Sequence, residues 1–136
     1  MKYINKSTAN QFHDWQRTEL PGRFVIQDLD TWILLISDTT KSFNPLALVE
    51  EKRSTISPDS WTPFKDDLNN YLALYNLSVK AKLPLWIIYF TPDFPKGKMA
   101  LFKVLHVDSS SLPWITYEKQ VLTAKEFQQQ FSKIFS

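Results

Sequence analysis

Short apolar runs separated by polar segments predict a chain of strands and helices. The run at residues 31–36 is apolar on both faces, which is typical of a central strand in a sheet. A polar segment at 37–45 predicts a turn after this strand. The other predicted strands are similarly apolar and cover residues 24–26, 46–49, 83–91, 99–107 and 114–117.

Three longer segments have the periodicity of helices, at residues 8–20, 62–82 and 123–135. In the second, Thr62 is a predicted N-cap with Pro63 at the first helical position. Its apolar face comprises Phe64, Leu68, Tyr71, Leu72 and Tyr75. The third segment opens with a capping-box sequence, Thr-Ala-Lys-Glu. The order of elements predicts an α/β or α+β fold in which helices flank a mixed sheet.

Composition narrows the possible functions. With 136 residues and 43% hydrophobic residues, the chain suits one packed domain, residues 1–136. Two glycines argue against glycine-rich phosphate loops, and the absence of cysteine excludes disulfides, thiol catalysis and the usual structural zinc sites. The net charge of +2 does not by itself indicate a nucleic-acid partner. No apolar stretch is long enough for a signal peptide or a membrane span, so we expect a cytoplasmic protein without membrane contact.

The most informative segment is the charged run Glu50-Glu51-Lys52-Arg53, which follows an apolar strand directly. In an extended chain, Glu50 and Lys52 point to one side of the sheet while Glu51 and Arg53 point to the other. A hairpin turning near residues 39–41 would place Asp30 opposite residue 50 or 51. An aspartate at the start of one strand would then lie beside a Glu-x-Lys at the end of its neighbour.

This arrangement suits a magnesium site. Two neighbouring carboxylates repel each other unless a cation lies between them. Mg²⁺ accepts one or two carboxylates and completes its shell with water and phosphate oxygens. A lysine beside such an ion can orient the attacking water or stabilise charge on the phosphate. Asp, Glu and Lys around one metal therefore predict a phosphodiester hydrolase.

These segments resemble the PD-(D/E)XK nuclease superfamily, which has the restriction-endonuclease-like fold. The resemblance covers roughly residues 8–107 and includes the family's order of helix, three-stranded meander, helix and strand. It implies that Asp30, with Asp28 as the alternative, and Glu50 bind the metal, together with the main-chain carbonyl of Glu51. It also implies that Lys52 is the catalytic lysine.

The resemblance further implies a Mg²⁺-dependent DNA endonuclease in which Mn²⁺ can substitute. Such a small domain is expected to form a homodimer, recognise DNA structure or rely on a partner for targeting. Arg53, Lys80 and Lys82 are candidate DNA contacts. The alternative is a catalytically inactive DNA-binding or protein-interaction module with the same fold.

The tryptophans divide into two groups by their surroundings in the sequence. Trp15, Trp32 and Trp86 lie on apolar faces and are predicted to belong to the core. Trp61 and Trp114 lie in or beside loops and are better candidates for contact with a substrate or partner.

Overall fold

A computed structural model describes residues 11, 14–16, 18–19, 21, 27, 29–37 and 39–134 of the chain. Its centre is a mixed sheet of five strands in the order β1-β2-β3-β4-β5. The strands are β1 (Thr31–Ile36), β2 (Phe43–Arg53), β3 (Leu85–Phe90), β4 (Met99–Val107) and β5 (Ile115–Leu122). Only β2 and β3 are parallel, and the other neighbouring pairs are antiparallel. The chain is thus an α+β protein with a mixed sheet, in agreement with the predicted class.

Two helices cover the sheet, one on each face. Helix α1 (Leu68–Ala81) follows a 3-10 turn at Lys65–Asp67 and connects the parallel strands β2 and β3. Its Tyr71 packs in a cluster with Ile87, Tyr89 and Phe102 of the sheet. Helix α2 (Ala124–Ile134) packs Phe127 against the opposite face, over a cluster of Met99, Leu101 and Leu122. The described residues between 11 and 19 are also helical, as predicted.

The hairpin of β1 and β2 sets the position of the charged run. Its turn is closed by two backbone hydrogen bonds, from the Ser37 amide to the Ser42 carbonyl and from the Lys41 amide to the Ser37 carbonyl. Lys41 has a left-handed backbone conformation with φ 57°. The register places Thr31 opposite Val49. The predicted turn is therefore confirmed, and the predicted strand at 24–26 lies outside the described residues.

Several predicted boundaries are wrong. Strand β2 begins at Phe43, inside the segment predicted as a turn, because residues 43–45 pair with β1. It also extends through Glu50–Arg53, because these residues pair with β3 whatever their polarity. Strand β5 extends to Leu122, well beyond residue 117. Thr62 is not an N-cap, since Phe64 has an extended backbone and helix α1 begins only at Leu68. The capping box is confirmed by reciprocal hydrogen bonds between Thr123 and Glu126, of 3.0 and 3.1 Å.

The tryptophan predictions are also partly wrong. Trp61 is buried and stacks on Tyr89, with ring centroids 4.3 Å apart, so it belongs to the core. Trp114 packs beside this cluster, and Trp86 packs on the α2 face as predicted. Trp15 and Trp32 are instead 53% and 55% exposed. None of the described helices combines the length and the apolar character that crossing a membrane requires.

Candidate active site

The register of the hairpin brings Asp30 and Glu50 together. Because Thr31 lies opposite Val49, Asp30 lies level with Glu50 just before β1 begins. The Asp30 carboxylate lies close enough to the Glu50 side chain to influence its charge. Its Oδ2 also accepts a hydrogen bond of 2.9 Å from the Glu51 amide. The register, continued one residue beyond β1, pairs the aspartate with the glutamate of Glu-x-Lys, and Asp30 also lines a cavity together with Glu51 and Arg53.

Glu50 is an unusual carboxyl group because it is buried at the end of an apolar strand, with 7% of its surface exposed. Burial, followed by the hydrogen bond with Asp30, raises the pKa of Glu50 to about 7. The hydrogen bond from Asn70 and the charge of Lys52 act in the opposite direction but do not cancel this rise. Near neutral pH, the pair therefore favours a proton or a cation between its oxygens.

An amide relay from helix α1 fixes the orientation of Glu50. The Asn70 side-chain amide donates a hydrogen bond of 3.0 Å to Glu50 Oε2. The Gln27 side chain in turn donates to the Asn70 backbone carbonyl, at 3.0 Å, and to its side-chain oxygen. Sequence reasoning missed both amides. The available signal was that the helix after β2 must begin close to the end of that strand, so a polar residue in its first turn could reach Glu50.

Lys52 lies on the same face of the sheet as Glu50 and is held from two sides. Its Nζ forms an ion pair of 3.4 Å with Asp67 Oδ2 and lies 5.5 Å from the centre of the Tyr71 ring. Asp67 occupies the N-cap position of α1 but makes no capping hydrogen bond with its side chain. The first turn of the helix thus positions the lysine through Asp67 and the glutamate through Asn70.

The opposite face of β2 carries Glu51 and Arg53. With Asp30 and Phe90, these side chains line a cavity of about 180 Å³. The Glu51 carboxylate accepts a hydrogen bond of 2.9 Å from the Thr31 hydroxyl. Its backbone amide points toward Asp30, and in an extended strand the carbonyl of the same residue points the same way. The Glu51 carbonyl therefore faces the side of β2 on which Asp30 lies.

The predicted DNA contacts lie in different places. Arg53 is exposed at the end of β2, beside the carboxylates. Lys80 and Lys82 lie at the far end of helix α1, about 15 Å or more along its axis from Asn70. The structure therefore does not bring these two lysines to the site. Asp28, the alternative metal ligand, lies outside the described residues.

The fit of a metal ion depends on what kind of ion it is. No group of three or more His, Cys, Asp or Glu residues that could hold a metal occurs within the described part of the chain. This speaks against a cage built entirely from such side chains. Mg²⁺ needs fewer protein ligands, since one or two carboxylates suffice when water and phosphate fill the remaining positions. Asp30, Glu50 and the Glu51 carbonyl fit this pattern, and the mutual repulsion of the carboxylates favours a cation.

Tyr71 forms the floor beneath Lys52, and its hydroxyl group is buried without a hydrogen-bond partner. Burial is the main cause that raises its pKa, with smaller effects from the charges of Asp67 and Glu50. Tyr89 is equally buried, but its hydroxyl group contacts Ser54 and the Ile56 carbonyl, both at 2.6 Å. The two tyrosines thus form a matched pair for measuring the cost of an unpaired hydroxyl group.

We expect Tyr71→Phe to leave the free energy of unfolding unchanged or to raise it by about 1 kcal/mol, because an unpaired buried hydroxyl group only loses its hydration on folding. The control Tyr89→Phe should lower the free energy of unfolding by about 1 kcal/mol or more, because it removes made hydrogen bonds. Urea unfolding of the three proteins measures both values. A clear loss of stability in Tyr71→Phe would show that its hydroxyl group has a partner, such as a bound water.

No protein-family model, curated protein or solved structure matches this chain in the comparisons. The interpretation of the site therefore depends on its own geometry: a carboxylate pair, a neighbouring carbonyl and a lysine at one end of a hairpin.

Proposed function

We propose that this protein is a Mg²⁺-dependent nuclease that hydrolyses phosphodiester bonds in DNA, acting as an endonuclease. The observation that carries the proposal is the pairing of Asp30 with buried Glu50, with Lys52 on the same face of the same strand. Carboxylates and a lysine at these positions are what metal-assisted phosphodiester hydrolysis requires. Mn²⁺, which also accepts oxygen ligands, is expected to substitute for Mg²⁺.

Each residue has a distinct role in this mechanism. Asp30, Glu50 and the Glu51 carbonyl would hold Mg²⁺, which when bound supplies positive charge next to a phosphate oxygen. Lys52 orients the attacking water and stabilises the charge that develops on the phosphate. The water oxygen loses a proton to solvent and forms a bond to phosphorus, while the bond to the leaving oxygen breaks and that oxygen takes up a proton from solvent. Asn70 and Asp67 act through Glu50 and Lys52 respectively and are positioning residues.

The topology around the site supports a restriction-endonuclease-like fold. The β1–β2 hairpin is followed by helix α1 and then by β3, which is parallel to β2. This hairpin, helix and parallel strand match the later part of the core order implied by the resemblance, whose first strand, at 24–26, lies outside the described residues. Arg53, exposed beside the carboxylates, is the residue best placed to contact a DNA phosphate.

Plasmid nicking by the purified protein tests the proposal. We expect cleavage with Mg²⁺ or Mn²⁺, none with EDTA, and none by Asp30→Asn. Glu118→Gln is the matched control, because it removes an exposed carboxylate from β5 at the other edge of the sheet, and it should cleave. If neither supercoiled, linear, single-stranded nor branched DNA is cut, the nuclease proposal is wrong and the non-catalytic module becomes the better interpretation.

A further inference from the structure

The face of the sheet that carries the site continues into an exposed apolar strip. Trp32, Leu34 and Ile36 occupy alternate positions in β1, and Phe43 lies directly opposite Ile36 in β2. Trp32 lies opposite Leu48, which packs on Leu74 of helix α1, so the strip is on the helix-covered face. The four side chains are 36–63% exposed. They form a continuous apolar surface that starts two residues from Asp30.

The position of helix α1 explains why the strip is open. It packs mainly on β3 and β4 and reaches β2 through Leu74 and Asn70, whereas the alternate side chains of β1 on this face remain exposed. Leu77, 40% exposed, lies two turns from Asn70 on the same side of the helix and forms a wall beside the strip. Within the described ranges, the face over β1 is therefore a groove with an apolar floor and an apolar wall.

The size and composition of the strip suit a protein interface. The four residues expose about 400 to 500 Å² together, which is within the range of the largest apolar patch on a typical monomer, a patch that is often functional. A standard interface covers about 800 Å² on each partner, with an apolar centre and a polar rim. The strip supplies such a centre, and the hydroxyl groups of Thr39, Thr40 and Ser42 lie at its rim. Its floor carries no charge, so it would not neutralise phosphates, and it is complementary to itself.

We propose that the strip is covered by the same strip of a second copy of this chain, forming a two-fold symmetric dimer. Helix α1 restricts how two such sheets can face each other. If the two-fold axis ran across the strands, the helix of one copy would collide with β3 and β4 of the other. An axis parallel to the strands avoids this, because each β1 then enters the groove beside the other copy's helix. Residues on β1 consequently face their own counterparts.

This geometry has a consequence for the active site. Because the strips run in the same direction, the two Asp30–Glu50 pairs lie at the same end of the dimer. Facing sheets pack about 10 Å apart, so two carboxylate pairs would lie on one surface within roughly 10 to 15 Å of each other. The dimer itself does not depend on the proposed nuclease activity. Only the use of two sites on one substrate rests on that proposal.

The oligomeric state in solution tests the dimer independently of activity. Sedimentation of the full chain at micromolar concentration should give the mass of a dimer, and Ile36→Glu should give a monomer that retains its circular dichroism spectrum. Val79→Glu is the matched control: Val79 is also exposed, at 57%, but lies on the side of α1 opposite Asn70. It should remain a dimer.

Cysteine cross-linking tests the symmetry axis. Because the sequence contains no native cysteine, any cross-link must join the introduced residues. Leu34→Cys, near the proposed axis, should be joined to its counterpart by a thiol-specific cross-linker that spans about 10 Å, the distance between facing sheets, whereas Val79→Cys should not. A monomeric wild-type chain, or a dimer that survives Ile36→Glu and is not cross-linked through Leu34→Cys, overturns the proposal. A monomer whose tryptophan fluorescence is quenched by single-stranded DNA, with the quenching lost in Trp32→Phe, would overturn it too and assign the strip to nucleic acid. Loss of cleavage with the dimer intact would instead contradict only the proposed function.

Discussion

Lys52→Met is expected to lower the rate of DNA cleavage by about 100- to 1,000-fold without removing the metal site. The ammonium group lies on the same face as Glu50 and is held by Asp67 and the Tyr71 ring, so it is presented at a fixed position beside the carboxylates. Methionine retains the length and apolar contacts of the side chain but cannot donate a hydrogen bond to water or phosphate. The measurement is the initial rate of plasmid nicking at saturating Mg²⁺.

The control for this prediction is Lys65→Met, which removes an exposed lysine from the neighbouring 3-10 turn. It should change the rate by less than about tenfold, as expected for loss of a surface charge. Mg²⁺ should still stabilise Lys52→Met against urea, because Asp30 and Glu50 remain. Wild-type rates in Lys52→Met would falsify the assignment of this lysine to catalysis.

Glu50→Gln is expected to stabilise the metal-free protein at alkaline pH while abolishing cleavage. The pKa of Glu50 is about 7 in the folded protein and 4.5 in the unfolded chain. Since the folded pKa is the higher one, the stability that the group contributes is fully present below about pH 4.5 and is lost as the pH rises through 7. This difference between the folded and unfolded pKa of Glu50 corresponds to about 3 kcal/mol in the free energy of unfolding. Glutamine has no charge to bury, so the variant should not lose that stability.

Urea unfolding in EDTA, at about pH 5 and about pH 8, measures this effect. Glu50→Gln should raise the free energy of unfolding most at the higher pH and only slightly at the lower one. Mg²⁺ should then reverse the order at the higher pH, because it stabilises the ionised carboxylates of the wild type and has less to bind in the variant. Glu51→Gln, which removes an exposed carboxylate, should change the free energy of unfolding little at either pH. If Glu50→Gln lowers the free energy of unfolding equally at both pH values, burial of the ionised Glu50 carboxylate does not destabilise the protein.

This combination of effects suggests why the site is built as it is. A carboxylate buried at the end of an apolar strand is unfavourable for the isolated protein, and Asn70 offsets only part of its cost. Bound Mg²⁺ would remove the repulsion between Asp30 and Glu50. In the proposed nuclease, this cost in stability would favour the binding of a cation by the pair.

Local chemistry was sufficient to predict several features from the sequence. The apolar run at Thr31–Ile36 and the polar turn that follows specified a hairpin, because alternation and turn residues act over a few positions. The reciprocal bonds of Thr123 and Glu126 are also local. The same reasoning placed Asp30 near the Glu-x-Lys segment, but left open whether residue 50 or 51 faced it.

The tertiary structure decided what depends on distant contacts. Register follows from which faces are buried and from the irregularity between Ile33 and Leu34, neither of which is visible in the hairpin sequence alone. The contacts of Asn70 with Glu50 and of Asp67 with Lys52 exist only because the helix begins over the end of β2.

The two tryptophans show the same limit. Trp61, in a predicted loop, is buried because Tyr89 and Phe102 surround it. Trp32, in an apolar strand, is exposed because helix α1 lies over other strands. Burial is favourable for any apolar residue, but only the packed structure determines which apolar residues are buried. The sequence thus determined the strands, the hairpin and the set of chemical groups, and the tertiary packing decided their register, their partners and which apolar face stays open.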